Sequence, residues 1–426
     1  MNIRSTIFWA KDKCVGHSRV RKVYNEVRAF IESGEENLSQ RENILSWATN
    51  EVPFYASYKG KSFHELPVVC KNIIRENPEQ FKAKSFLGQK LHSESTSGST
   101  GTPFTIYQDP GKRLRASADS LVFSDLAGFA LGSRLYYVRV WNELNKKSKL
   151  QTILKNIVMQ DSKSLSEGNL ENFVRTLEND SQHKTILSYA NTITALYKWM
   201  KDSGRTTTAQ VDCIITMSES LPPEVKEGIK KLFRCPVVSR YSNQECGLIS
   251  QQAQDGDEYV VNTASFYVEL LALDSDQPVE DGKLGRIVIT DLYNKAMPLL
   301  RYDTGDLGIM SHVSSKGRKG TFITKVEGRS NDFIFSTTGE MLSPVTISVG
   351  MWKFNDLIQW RFVQNGKNEY EMQLKSATPQ YAREAELMSD LRQCVGADAN
   401  IRILYVDDIP LLKSGKRKYV VNNMNS

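Results

Sequence analysis

The feature that most limits the fold is an alternation between residues 135 and 241. Apolar runs of strand length at Leu135–Val140, Thr185–Tyr189, Val211–Met217 and Val237–Tyr241 are separated by stretches with three-to-four apolar spacing at Leu170–Leu177, Thr192–Met200 and Pro223–Phe233. Strands that alternate with helices at this pitch are joined by crossovers, so they predict an α/β domain with a partly parallel sheet. In such sheets ligands gather beyond the carboxyl ends of the strands. The segments that follow each strand are therefore the ones to search for chemistry.

Elsewhere the pattern is plainer. Val20, Val23, Tyr24, Val27, Phe30 and Ile31 predict an amphipathic helix over Ser18–Ser33, and Pro53–Phe81 reads as a turn and a short helix that Pro78 interrupts. Phe104–Gln108 is expected as the second arm of a hairpin and Arg113–Leu131 as a helix, with short strands over Glu258–Met310. The segment from Asp332 onward mixes strands (IQWRFVQ, EYEMQLK, IRILYVD) with a helix at Gln380–Cys394, which suggests a small α+β unit. At 426 residues the chain exceeds one compact core, and the expected division is 1–330 and 331–426.

Composition removes several function classes. The 55 Lys and Arg against 49 Asp and Glu leave a net charge of +6 without a block of like charges, which gives no support to nucleic-acid binding. No apolar run reaches the roughly 18 to 20 residues of a membrane span, and the N-terminus lacks a signal-peptide core, so a cytoplasmic protein is expected. Six scattered cysteines are expected as free thiols. Cys14 and His17 form one C-x-x-H pair with no second pair, and five histidines without a convincing nucleophile beside them offer little to Ser/His/Asp chemistry.

Thr96–Pro103, TSGSTGTP, contains only small, hydroxylic or backbone-specialised residues. Gly98 and Gly101 allow positive φ, Thr96, Ser97, Ser99, Thr100 and Thr102 bring hydroxyls, and Pro103 stiffens the exit. Backbone N–H groups and hydroxyls can converge there on an anion such as a nucleotide phosphate, although a plain flexible loop has the same composition. It is not a P-loop, because no Gly-Lys-Ser/Thr closes it and Phe104 stands where a lysine might be expected. Four further motifs follow in order: MSESLP at 217–222, YSNQECG at 241–247, RYDTGDL at 301–307 with EGRSNDF at 327–333, and IPLLKSGKR at 409–417. Taken singly, each has an ordinary reading: Ser220 as a helix cap, Tyr241 as core with Glu245 on the surface, Lys416 in a solvated basic tail.

The ordered set resembles the motifs of the adenylate-forming superfamily of acyl-CoA synthetases, adenylation domains and luciferases. The Leu66-Pro67-x-x-x-Lys71 stretch, the YSNQE variant and the short length resemble its CapK-like, phenylacetate-CoA-ligase-like branch. The resemblance implies a large N-terminal domain with mixed sheets and flanking helices, followed by a small C-terminal lid that turns about a hinge at Asn331, normally Asp or Lys. It implies that Thr96, Ser97, Gly98, Ser99, Thr100, Gly101 and Thr102 hold the phosphates of ATP. Ser218, Glu219 and Ser220, of which two serines replace glycines, would line the adenine side, where Tyr241 and Ser242 also lie. Glu245 would bind Mg²⁺, Asp306 and Arg329 would reach the ribose and phosphates, and Lys416 would be the catalytic lysine.

The implied reaction activates a small-molecule carboxylic acid as an acyl-adenylate with release of pyrophosphate. Acyl transfer to a thiol such as coenzyme A or a carrier follows. Alternatives are transfer to an amine, as in an amide ligase of surface polysaccharide biosynthesis, AMP transfer to a hydroxyl, or a nucleotide-binding pseudoenzyme. The acid pocket would be lined by residues 135–142, 188–190 and those after Tyr241. Arg139 interrupts an apolar strand there and could face either a second substrate carboxylate or a buried acid.

Overall fold

The computed structural model describes residues 3–96, 104–141, 146–162, 164–329, 334–342, 347, 350–354, 356–410 and 418–424. The chain divides into two compact units, one comprising residues up to Thr304 with Gly308–Lys325, the other Gly305–Leu307 with the residues from Val326 onward.

The first unit is built on a mixed sheet. Its strands run in the order Phe266–Leu271, Leu284–Asp291, Tyr302–Val313, Lys319–Arg329, Tyr259–Val261, Gly247–Gln252, Val237–Asn243, Cys213–Met217, Lys184–Tyr189, Arg134–Arg139 and Ile157–Asp161. The last five named are mutually parallel, and Gly247–Gln252 turns back antiparallel to Val237–Asn243. The central parallel strands Lys184–Tyr189 and Cys213–Met217 are buried on both faces, as is the first half of Val237–Asn243. Tyr136, Val138, Ile186, Ile214 and Val237 pack under the helices Glu167–Asn179, Ala190–Ser203 and Pro223–Phe233, while Leu187, Cys213, Ile215 and Val238 form a second layer with Ala127 and Phe129. Helix Glu167–Asn179 presents Leu170, Phe173, Val174 and Leu177, the i, i+3, i+4, i+7 stripe that covers a sheet.

Several boundaries differ from the sequence reading, each for a local reason. The helix expected at Arg113–Leu131 runs Pro110–Leu126, because Asp109 caps it by accepting from the N–H groups of Gly111 and Lys112 and Pro110 occupies the first turn. The expected Gln380–Cys394 helix starts only at Glu384, since the Tyr381 N–H is held by the Tyr405 hydroxyl. Strand Ile157–Asp161 and helices Ile3–Cys14, Leu38–Glu51 and Lys149–Lys155 were not expected. The strand lies at the sheet edge with much of its surface in solvent, so it lacks a continuous apolar run. All six cysteines are free thiols. Among the described residues no helix is long and apolar enough to cross a membrane.

The second unit carries a four-stranded sheet in the order Asn400–Tyr405, Glu369–Lys375, Gln359–Gly366, Val420–Asn422. Helix Glu384–Val395 buries Leu387, Leu391 and Val395 in a core shared with Phe362, Met372 and Leu374. The fully buried Gln364 side chain accepts from the Phe335 N–H and donates to the Phe335 carbonyl, fastening the Ile334–Phe335 strand to this sheet.

Candidate functional site

The parallel register sets the strand ends side by side: Tyr189 pairs with Met217 and Met217 with Arg240. Immediately beyond Met217 the chain turns through Ser218, whose φ of 77° lies in the left-handed region that favours glycine. The serine thus holds a glycine-like conformation at a position where the resembled motif carries glycine. Ser218 and Ser220 are exposed and Glu219 is half-buried. Ser220 does not cap the next helix, because Pro222 occupies the cap position and no side chain bonds there.

Tyr241 and Ser242 lie on strand Val237–Asn243, which ends in a tight turn of Gln244, Glu245 and Cys246 before Gly247 starts the returning strand. Asn243 Oδ1 accepts the Cys246 N–H at 2.7 Å, a local side-chain-to-backbone bond three residues on that fixes the hairpin apex. Gly247 has a φ of 97°, as the tight return requires. Glu245 therefore sits on a rigid tip. It is buried at 7% exposure, and its Oε1 accepts from Lys71 Nζ at 3.3 Å and from the Tyr302 hydroxyl at 3.4 Å. The surface reading of Glu245 is thereby excluded. Neighbouring Cys246 is fully buried, and burial pushes its thiol well above the ordinary range, so it offers no nucleophile.

Lys71 reaches Glu245 because the short strand Val69–Cys70 runs parallel to the start of the Tyr302 strand, pairing Val69 with Tyr302 and Cys70 with Asp303. Its ammonium also lies 5.0 Å above the Phe104 ring, which in turn stacks on Tyr302 with centroids 6.4 Å apart and planes 9° from parallel. Phe104 directly follows the hydroxyl-rich loop and pairs with Thr96 across the hairpin of strands His92–Thr96 and Phe104–Gln108. Both ends of the loop are therefore fixed beside the Lys71–Glu245 pair. Ser97, Gly98, Ser99, Thr100, Gly101 and Thr102 themselves lie outside the described residues, as do Asn331 and Lys416.

The Tyr241 hydroxyl donates to Thr304 Oγ1 at 3.4 Å, which connects the hairpin to RYDTGDL. Thr304 in turn donates to the Ile287 carbonyl at 2.9 Å. Of the two carboxylates in that motif, Asp303 is committed to Arg286 at 2.7 Å. Asp306, half-buried on the same strand one residue beyond Gly305 (φ 75°), is the one the ribose reading retains. Arg329 ends the strand Lys319–Arg329.

The CapK C-terminal domain family matches residues 334–423. Over 425 residues the chain is 24% identical to protein CapK of Staphylococcus aureus, covering 94% of this chain and 92% of that protein. A 70-residue stretch is 37% identical to a phenylacetate-coenzyme A ligase of Thermus thermophilus, 16% of each chain. The crystal structure of a 2-hydroxyisobutyryl-CoA ligase in the postadenylation state superposes with a TM-score of 0.66 at 15% identity, covering 96% of this chain and 90% of that one. The chain is thus similar to protein CapK along nearly its whole length and shares the fold of an acyl-CoA ligase.

Within this site the residue that sequence reasoning undervalued is Lys71. Its signal was present in the Leu66-Pro67-x-x-x-Lys71 stretch, but its partner Glu245 is distant in sequence and only the tertiary fold joins them. No cluster of three or more His, Cys, Asp or Glu able to hold a metal ion occurs among the described residues. Glu245 is thus a single carboxylate that accepts from Lys71 and Tyr302 on Oε1 and can offer Oε2. That donor set fits Mg²⁺ arriving with a nucleotide and drawing its other oxygens from phosphates and water, which is how this hard cation is commonly held.

Proposed function

We propose that this chain activates a carboxylic acid with Mg·ATP and passes the acyl group to a thiol such as coenzyme A, in the cytoplasm. The observation that carries the proposal is the convergence of Lys71, Glu245, Tyr302 and the two ends of the hydroxyl-rich loop in one unit. A carboxylate oxygen of the acid attacks the α-phosphorus, and the bond from that phosphorus to the bridging oxygen breaks. The electron pair leaves with pyrophosphate, and an acyl-adenylate remains. Such a reaction needs positioning and charge stabilisation more than covalent chemistry.

The residues divide that work. The loop's N–H groups and hydroxyls cradle the phosphates, and Lys71 supplies beside the loop the cation that the loop lacks. Glu245 and Tyr302 add a polar wall next to Lys71, and Glu245 would hold Mg²⁺, whose charge would offset that of the phosphates. Tyr241 packs against the base, Asp306 accepts hydrogen bonds from the ribose hydroxyls, and Arg329 is assigned to the ribose and phosphates. Lys416 serves as the donor to the reacting carboxylate and α-phosphate. In the second step the thiol sulfur attacks the acyl carbon and AMP departs.

The decisive measurement is ATP–pyrophosphate exchange across a panel of aryl, fatty, hydroxy and dicarboxylic acids, followed by product analysis with coenzyme A or amines as acceptor. Acid-dependent exchange supports adenylation. Failure of every acid to promote exchange in protein that still binds ATP would overturn it, and amide formation with no thioester would replace the thiol by an amine.

A further inference from the structure

The carboxyl end of strand Arg134–Arg139 carries a cation whose surroundings nothing in the adenylation chemistry explains. Arg139 is half-buried, and its Nε is sealed from solvent without a hydrogen-bond partner. One terminal nitrogen donates to the Tyr137 hydroxyl at 3.2 Å, and the guanidinium lies 5.5 Å from the ring centroids of both Tyr137 and Trp141. Tyr189, at the end of the adjacent parallel strand, faces it as well; burial raises the Tyr189 hydroxyl, and Arg139 opposes that rise. Lys147 is close enough that Arg139 adds to the burial and the Lys155 charge that lower its ammonium.

Two cations and three aromatic rings therefore meet, and among the described residues no acid pairs with Arg139. Asp161 is the cross-strand neighbour of Arg139, yet it is exposed and makes no ion pair with it within 4.0 Å. Glu219, the acidic group felt at Tyr189, makes none either, and the same holds for every carboxylate among the described residues. Of the two partners considered for Arg139, the buried acid is absent from these residues. A partly desolvated guanidinium without a counter-ion is costly to keep. It is also the side chain best shaped to accept a carboxylate or phosphate in a forked contact, with tyrosine hydroxyls to complete the shell.

The geometry points to Arg139 as the receptor for a second anionic group on the acid, so that the substrate is a dicarboxylic or otherwise doubly anionic acid. This inference deepens the adenylation reading and rests on it. The strand ends place the two jobs apart: Arg139 and Tyr241 lie on strands three steps from one another in the sheet, roughly 14 Å. An acid of several carbons can lie across that distance, with one end facing the nucleotide and the other facing Arg139.

The test compares pyrophosphate exchange for a series of dicarboxylic acids, the matching monocarboxylic acids, and phosphorylated hydroxy acids, in wild type, Arg139→Gln and Arg139→Lys. Wild type is expected to favour one doubly anionic series, and which series wins distinguishes carboxylate from phosphate. In Arg139→Gln the KM for that acid should rise about 10- to 100-fold with the KM for ATP unchanged, as expected on losing a charged hydrogen bond. Arg139→Lys should recover part of the loss. A wild-type preference for monocarboxylic acids, or an Arg139→Gln enzyme with the same KM for a diacid, overturns the assignment and leaves adenylation standing. Absence of exchange with every acid overturns adenylation itself, and this inference falls with it. If Arg139→Gln does not fold, the wild-type selectivity and the Lys variant still decide the question.

Discussion

Glu245→Gln keeps the volume of the hairpin tip and removes the charge that faces Lys71. At 3.3 Å the pair's attraction is about 5 kcal/mol for an effective dielectric constant near 20. The Lys71 side chain retains 30% exposure and Glu245 9%, so desolvation and solvent screening offset much of that. A coupling of about 1 to 3 kcal/mol should remain, the range of residues that share one network. The assay is equilibrium binding of ATP at increasing magnesium, with thermal denaturation as a check on folding. Glu245→Gln should bind Mg·ATP about 10- to 100-fold more weakly and need correspondingly more magnesium. Lys71→Met should also bind more weakly, and the double variant should lose less than the sum of the two by the coupling energy. Wild-type magnesium dependence in a folded Glu245→Gln protein, or strictly additive losses, would refute the reasoning.

Other perturbations probe separate parts. Asp306→Ala should weaken ATP binding by about 1.5 to 3 kcal/mol per charge-assisted hydrogen bond lost, and unchanged affinity in a folded variant removes the ribose role. Lys416→Ala should slow adenylate formation about 100- to 1000-fold while sparing acyl transfer from supplied acyl-adenylate; equal loss of both steps counts against that division. Ser218→Gly should stabilise the protein by up to about 1 kcal/mol by relieving the left-handed backbone, read as a rise in Tm. Lys112 and Asp291 form an ion pair at 2.7 Å with each side chain only 1% exposed. Lys112→Met should therefore cost about 3 to 5 kcal/mol, and Lys112→Met with Asp291→Asn should recover part of it; a lone Lys112→Met with unchanged Tm would contradict the burial argument.

The central parallel strands were legible in the sequence because each is an apolar run flanked by helical spacing, and burial on both faces leaves that mark. Strand Ile157–Asp161 was not, since an edge strand with Met159 in solvent has no such run. Tyr241 and Asp306 could be singled out because their motifs are local in the chain. Glu245 was ambiguous for the opposite reason: a carboxylate in a turn looks solvated, and only Tyr302 and Lys71 bury it. Lys71 and Arg139 share that difficulty. A cation's meaning depends on what faces it, and neither partner nor lack of one is written in neighbouring residues.

The pairing of Val69 with Tyr302 and Cys70 with Asp303 also has a consequence in time. On a ribosome adding roughly 5 to 20 residues per second, the first of these segments emerges on the order of ten seconds or more before the second. For most of that interval the nascent chain displays Lys71 and the hydroxyl-rich loop without the hairpin that carries Glu245, and until its end there is no strand for residues 69 and 70 to join. Nucleotide cannot template the early steps of folding, and the two-residue strand offers too short an edge to recruit a stray partner while it waits.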